Sequence, residues 1–533
     1  MVLDLNLQQL QLLSSVYTAT DEAGESNDSM NKTVALPPVG VPDVDLMNQL
    51  GVGMETDGGR GAWTEIEPSA FSKNTINPIR RIVDAMNVQP NPNKDLLKLH
   101  IGDPTVTGIL PTHPAVNAAV LEALLSNKYN GYGPAVGFPE VRRALADHIN
   151  KTCHGSAVSA EDIILTSGCS HALEMAIEVL ANPGSNILVP RPGFPLYETL
   201  MRPLNVEPRH YDLLADQNWE IDLQQMESLI DEQTVAIVVN NPNNPTGAVY
   251  TREHLESILR LAQSHRIPVI ADEIYGDMVF GGAQFYPMHT LEPKVPILTC
   301  DGISKRYLVP GWRLGWLIVH NIDQALTHVR TALCQLAQKI VGPCSLMQGA
   351  LPMILERTPQ EFFQRTRDIL EENVRLVFDR LADVPGITPI RANVAMYMMI
   401  KLDTQCFPAF GGDDLEFIQA LISQQSLYCL PGSAFYYPGA IRFVMTHSRD
   451  SMVEACERLR SFCSCHFKAS PSSPSLLARH HHQKNSLSKR HQRQLNGLLT
   501  AMAIDKGEKN NKMGQVSTEF AALTSARSGV QAQ

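Results

Sequence analysis

The sequence predicts an α/β protein built on a mainly parallel sheet, and two features of its middle region carry that reading. Short apolar runs alternate with stretches of helical spacing, and polar or glycine-rich turns follow the runs. Asp162 to Thr166 (DIILT) reads as a strand entering Ser167-Gly168. Ala172, Leu173, Ala176, Ile177 and Leu180 then recur at helical spacing until Asn182-Pro183-Gly184 stops the helix. Ile187 to Val189, Val235 to Val239, Val269 to Ala271, Val295 to Cys300 and Leu317 to Val319 read as further buried strands. Thr251 is placed to cap a helix running to about His265, with the next strand beginning after Pro268. In such folds ligands bind where the carboxyl ends of strands meet loops.

The chain of 533 residues is too long for one compact core and fits two or three domains with tails. Its 44% hydrophobic and 19% charged residues are an ordinary globular balance. A net charge of -11 argues against nucleic acid as a partner. No apolar run approaches the roughly 18 residues of a membrane span. The N-terminus lacks the basic and apolar blocks of a secretory signal and carries Asp4, Asp21, Glu22 and Glu25, so the expectation is a cytoplasmic protein, with mitochondria less favoured. Ten scattered cysteines without metal-ligand spacing fit free thiols in a reducing compartment, and no metal is expected. The stretch before about Gly61 and that from about Ser470 read as weakly structured tails, the latter with a cluster at His480 to His482 and the basic residues Lys484, Lys489, Arg490 and Arg493.

Four clusters carry chemistry. Ser304-Lys305-Arg306-Tyr307 follows a buried strand, and Arg313 lies eight residues beyond Lys305, between Gly311 and Gly315. A desolvated lysine beside other cations loses its proton readily and becomes a nucleophilic amine, and arginine offers a forked donor to phosphate. A lone surface lysine would be the plainer reading of Lys305, and the neighbouring clusters decide against it. Asp272 and Tyr275 follow the strand Val269 to Ala271. Asp272 there would cap a turn or pair with a protonated pyridine nitrogen, the partner that makes pyridoxal phosphate (PLP) an electron sink. Asn240 to Gly247 (NNPNNPTG) forms a turn after Val239 that can present an amide to an oxyanion. Thr166 to Ser170 opens a helix whose N–H groups either cap or hold phosphate, which makes Cys169 a backbone donor before it is a reactive thiol.

In this order the clusters resemble the fold-type I, class I aminotransferases, and within them the branch that uses tyrosine in animals. The likeness runs from about Gly61 to His466 and includes Asn77 to Arg80 (NPIR), Ile101 to Thr105 (IGDPT), Tyr129 to Tyr132 (YNGY), Val189 to Phe194 (VPRPGF), Ala271 to Phe280 (ADEIYGDMVF), Leu308 to Trp316 (LVPGWRLGW) and Gly342 to Cys344. It implies a large PLP-binding domain with a mainly parallel central sheet over residues 111–350 and a smaller α+β domain. The smaller domain would combine 351–468 with part of an N-terminal arm at 61–110, between tails at 1–60 and 469–533.

By that resemblance Lys305 is the Schiff-base lysine and proton shuttle, Asp272 holds the pyridine nitrogen, and Asn244 and Tyr275 bind the ring's phenolic oxygen. Phe194 would stack on the ring, while Arg313, Gly168, Cys169 and Ser170 hold the phosphate. Tyr132 would reach the phosphate in a neighbouring subunit, implying a homodimer with a shared cofactor site. Arg442, between Ile441 and Phe443, resembles the arginine that grips the substrate α-carboxylate. Asn244 and the backbone N–H of Gly102 would share that task. A buried arginine at 442 should have an anionic partner. The related pattern Ser-Gly-Ala-Met-Tyr reads Asn393-Val394-Ala395-Met396-Tyr397 here, which places extra bulk near the expected substrate side, and His171 replaces a common Gln. The implied partners are an amino acid, foremost tyrosine, and a 2-oxo acid, foremost 2-oxoglutarate. A broader aminotransferase, a PLP carbon–sulfur lyase and a non-catalytic PLP-binding regulator are the alternatives.

Overall fold

The computed structural model of the protein describes residues 65–152 and 157–469. The long tails on either side, with His480 to His482 and the basic residues of the C-terminal tract, lie outside the described residues.

Fourteen strands form three sheets among the described residues: β1 (Leu97–Lys98), β2 (Ile163–Thr166), β3 (Asn186–Arg191), β4 (Glu207–Leu214), β5 (Glu220–Ile221), β6 (Thr234–Asn240), β7 (Val269–Asp272), β8 (Ile297–Gly302), β9 (Gly315–His320), β10 (Ile387–Pro389), β11 (Tyr397–Leu402), β12 (Leu427–Tyr428), β13 (Leu430–Pro431) and β14 (Ala440–Val444). The large sheet has the order β2-β9-β8-β7-β6-β3-β4-β5. Within it β3, β4, β6, β7 and β8 pair in parallel, and β9 runs antiparallel between β2 and β8. The apolar runs give this result because both sheet faces are covered. Ile187 and Val189 enter one core cluster while Leu188 enters another, and Val238 and Val239 divide in the same way. A strand with one wet face would have alternated apolar with polar residues.

The crossover helices start and stop where local chemistry dictates. Helix Arg252–His265 begins at Thr251, whose hydroxyl accepts from the His254 N–H at 3.2 Å. It ends at Arg266 in the left-handed conformation, two residues before Pro268. Helix Cys169–Leu180 follows β2 directly, with Gly168 at its N-cap. β8 begins two residues later than the apolar run suggested, at Ile297, and continues to Gly302.

A second sheet, antiparallel throughout, has the order β10-β11-β14-β13. All five residues of β14 are buried, and the helices Gln360–Leu381 and Arg449–His466 pack with this sheet through Leu370, Val374, Val377, Leu459 and Phe462. β1 pairs in parallel with β12 and so ties the segment before residue 100 to the C-terminal region. A mainly parallel sheet with helices and a smaller antiparallel sheet is thus the observed architecture, as the sequence predicted. No helix among the described residues is long and apolar enough to cross a membrane. Nine cysteines there are free, and no group of three or more metal-ligating side chains occurs among the described residues.

Candidate active site

The parallel strands β6, β7 and β8 end side by side, and their last residues or the turns after them deliver Asn244, Asp272 and Lys305 to one cavity of about 540 Å³. Cys169, Ser170, Phe194, Tyr275 and Arg313 line the same cavity, as do Gly102 and Arg442. Residues from four linear clusters far apart in sequence therefore line one cavity.

Asp272 closes β7 and is only 3% exposed. The Tyr197 hydroxyl donates to its Oδ2 at 2.6 Å, and the Cys169 thiol lies 3.7 Å from Oδ1. Burial pushes the carboxyl up to about 6, while these two donors and the Ile274 backbone N–H pull it down. A buried carboxylate without a paired cation calls for a positively charged partner. A protonated ring nitrogen has that charge.

Arg313 and the start of helix Cys169–Leu180 meet at the same cavity. Gly168 has φ +79°, and a Cβ on it would come within 2.5 Å of Arg313 Nη2, so only glycine lets the guanidinium fold over the helix start. Arg313 donates to the carbonyls of Pro310 at 3.1 Å and Ser167 at 3.3 Å, and its fork faces the cavity. Ser304 also lines the cavity, and its buried hydroxyl has no hydrogen-bond partner. This donor set suits a phosphate, with the helix dipole adding to it. The substituted His171 accepts from the Ser167 N–H through Nδ1 at 3.2 Å, so it braces this loop and leaves the helix start intact. The Cys169 thiol is pushed well above its ordinary value by burial and by Asp272, which makes it an inert donor, not a nucleophile.

Lys305 Nζ donates to the Gly102 carbonyl at 2.7 Å. Gly102 was expected to act through its N–H; what the structure shows is its carbonyl holding the amine. A Cβ on Gly102 would lie 2.7 Å from the Tyr397 hydroxyl. The close approach of this loop therefore depends on the missing side chain.

Arg442 lies in the middle of β14 and is 3% exposed. Its Nη1 donates to Asn244 Oδ1 at 3.0 Å and its Nη2 to the His100 carbonyl at 3.0 Å, while Nε has no partner. The guanidinium sits 4.3 Å from the Tyr397 ring centroid and 4.6 Å from that of Phe435. Among the described residues no carboxylate forms an ion pair with it, and burial pulls its pKa down from the ordinary value. The expected anionic partner is thus not supplied by the residues around it, which fits a cation that meets a carboxylate brought by substrate. Asn244 touches Arg442 and also lines the cavity, so one amide serves the two halves of the site.

Several contacts of the site had no signal in the linear motifs. Tyr197 contacts Asp272 from a neighbouring helix, Leu196–Met201, and Tyr397 meets the Tyr275 hydroxyl at 3.0 Å from β11. His100, neutralised by burial and by Arg442 with its pKa lowered to about 4, forms part of the wall. Tyr132, expected to serve a neighbouring subunit, and Val394, expected near the substrate side, both lie outside the cavity of this chain. Tyr132 is 92% exposed and lines no part of the cavity. Val394 is wholly buried, bridges to Val279 and does not line the cavity, because the backbone turns at Ala395 (φ 59°) and presents Tyr397 there instead.

Comparison with known proteins agrees with this geometry. The family described as Aminotransferase class I and II matches residues 94–459. A tyrosine aminotransferase of Mus musculus is 49% identical over 410 residues, which cover 77% of this chain and 90% of that protein. One of Caenorhabditis elegans is 50% identical over 406 residues, covering 76% and 86%. The crystal structure of tyrosine aminotransferase from Leishmania infantum superposes with a TM-score of 0.74 at 31% identity, covering 76% of this chain and all of that one.

Proposed function

Because the chain belongs to the class I and II aminotransferases, we propose that it exchanges the amino group of L-tyrosine for the oxo group of 2-oxoglutarate, in the breakdown of tyrosine and phenylalanine. The products are 4-hydroxyphenylpyruvate and L-glutamate. The observation that supports this most is the convergence of Lys305, Asp272, Asn244, Arg313 and an unpaired Arg442 on one cavity.

These residues fit PLP, with Arg313, Ser170, Ser304 and the helix start for its phosphate, Asp272 for its ring nitrogen, Asn244 and Tyr275 for its phenolic oxygen and Phe194 for its face. When bound, the cofactor supplies a ring that accepts the electrons left at the substrate Cα. Lys305 Nζ would take up the Cα proton and give it back across the imine nitrogen, from its place beside the Gly102 carbonyl. Arg442 grips the α-carboxylate with a forked pair of donors, and Tyr397 and Phe435 shield that contact from water. One site serves both substrates in turn, so ping-pong kinetics follow. The exposure of Tyr132 fits a two-fold dimer in which it serves the partner's site.

Incubation of the purified protein with tyrosine and 2-oxoglutarate should yield 4-hydroxyphenylpyruvate and glutamate in equal amounts. Lys305→Ala should lower turnover by about 10⁴-fold, and near-normal turnover would overturn the reading. Ammonia and pyruvate released from cystathionine without an oxo acid would mark a lyase instead.

A further inference from the structure

Asp272 is an unusual anion. Nothing cationic lies among the influences that favour its charged form, which are the Tyr197 hydroxyl, the Ile274 backbone N–H and the Cys169 thiol. The other ionisable groups facing it are Glu273 and Tyr275 beside it in sequence, and Cys300 and Asp301 on the adjacent strand β8. None of them carries a positive charge, and burial holds the protons on Tyr275 and Cys300. Ionisation of Asp272 in the folded protein therefore depends on hydrogen-bond donors alone.

Tyr197 is the strongest of them. Its oxygen is 2.6 Å from Oδ2, its side chain is buried, and burial together with Asp272 holds its own proton on. It can only donate. The edge-to-face contact between Phe194 and Tyr197 (6.0 Å, 86°) joins this donor to the aromatic wall of the cavity. Cys169 contributes a longer, weaker contact of 3.7 Å to the other oxygen.

We infer that Tyr197 is a positioning residue that fixes the Asp272 carboxylate as the anionic partner of a protonated ring nitrogen, with Cys169 as a lesser second donor. The inference rests on the proposed cofactor reading. Neither residue touches a reacting atom. A phenol donating to one oxygen orients the carboxylate, and it leaves the anion less neutralised than an arginine or lysine would. Among the described residues no cation is counted with its partners, which leaves a protonated ring nitrogen to fill that place.

The test uses Tyr197→Phe, Cys169→Ala and, as reference, Asp272→Asn. In cofactor-free protein carrying ¹³C-carboxyl aspartate, the signal missing from Asp272→Asn identifies Asp272. Its titration should move upward by about one pH unit in Tyr197→Phe and by less in Cys169→Ala. Dissociation of PLP, followed by its visible absorbance, should quicken about tenfold in Tyr197→Phe. The acid limb of the kcat profile should move to higher pH.

Unchanged titration and cofactor release in a Tyr197→Phe protein with native near-ultraviolet dichroism would overturn the inference. If that variant does not fold, Cys169→Ala decides, and a titration identical to the parent's counts against the inference. Should Asp272→Asn itself bind PLP and turn over as the parent does, the cofactor reading fails first. Impairment of Asp272→Asn without impairment of Tyr197→Phe sinks only the role of Tyr197.

Discussion

Arg306 and Arg442 are both largely buried, yet their surroundings are opposite in kind. Arg306, next to Lys305, pairs with Asp301 at 2.7 Å and with Asp277 at 2.9 Å. Arg442 meets an amide, a carbonyl and two aromatic faces, and no carboxylate among the described residues. A buried charge that the fold has already neutralised is part of the structure. One left without a counter-ion is maintained at a cost in stability, and binding an anion recovers that cost. Burial alone does not distinguish a structural arginine from a functional one; the partners do.

Substituting both arginines separates the two kinds. Arg442→Met removes a cation that has no ion pair to lose. It should lower kcat/KM for tyrosine and for 2-oxoglutarate by roughly 10²- to 10³-fold while thermal stability holds or rises. Arg306→Met strands two carboxylates and should cost roughly 2–3 kcal/mol of stability, a little below the range for breaking a fully buried pair, because Asp277 is 43% exposed and partly screened. Parallel melting curves and initial rates test the contrast. If Arg442→Met melted well below Arg306→Met, the assignment of roles would be reversed.

The sequence made this contrast only half visible. Lys305, Asp272 and Asn244 were legible because each ends or closely follows a strand whose apolar run is plain, and Arg313 because it stands between Gly311 and Gly315 just beyond Lys305. Arg442 was legible as a buried arginine between Ile441 and Phe443, but the lack of a carboxylate around it depends on which elements pack over β14. Tyr197 escaped for the same reason, and Tyr397 was visible only as the end of the Asn393 to Tyr397 pattern, without a role. Their hydroxyls reach Asp272 and Tyr275 across separate elements, and nothing in the local sequence encodes that approach.

The acid cluster around Arg306 also responds to pH in a direction that can be worked out. Burial pushes Glu273 up to about 8 and Asp301 up to about 7, far above the values near 4 of an unfolded chain. The folded state therefore holds these protons more tightly. That contribution to stability is complete below about pH 4 and is lost as pH rises through 7 to 8. Glu273 Oε1 accepts from the Met288 N–H at 2.8 Å, and a glutamine can keep that bond without the charge. Glu273→Gln should match the parent's melting temperature at pH 5 and exceed it by roughly 2–4 °C at pH 8.5. An equal gap at both values would show that Glu273 carries no buried proton.

The smallest effect on activity is expected at Val394, where the departure from the related pattern suggested a change in substrate choice. The side chain has no exposure, pairs across a β-bridge with Val279 and lies outside the cavity lining. It belongs with Arg306 on the structural side of the comparison. Val394→Ala should cost roughly 1–3 kcal/mol of stability through lost packing. The ratio of kcat/KM for tyrosine to that for phenylalanine should stay within about twofold. A residue that met the substrate side chain would move that ratio by roughly tenfold or more, since one methylene in a pocket is worth that much. The comparison is decisive because the two readings predict opposite pairs of results. A packing residue lowers the melting temperature and spares the ratio, whereas a pocket residue shifts the ratio whatever it does to stability.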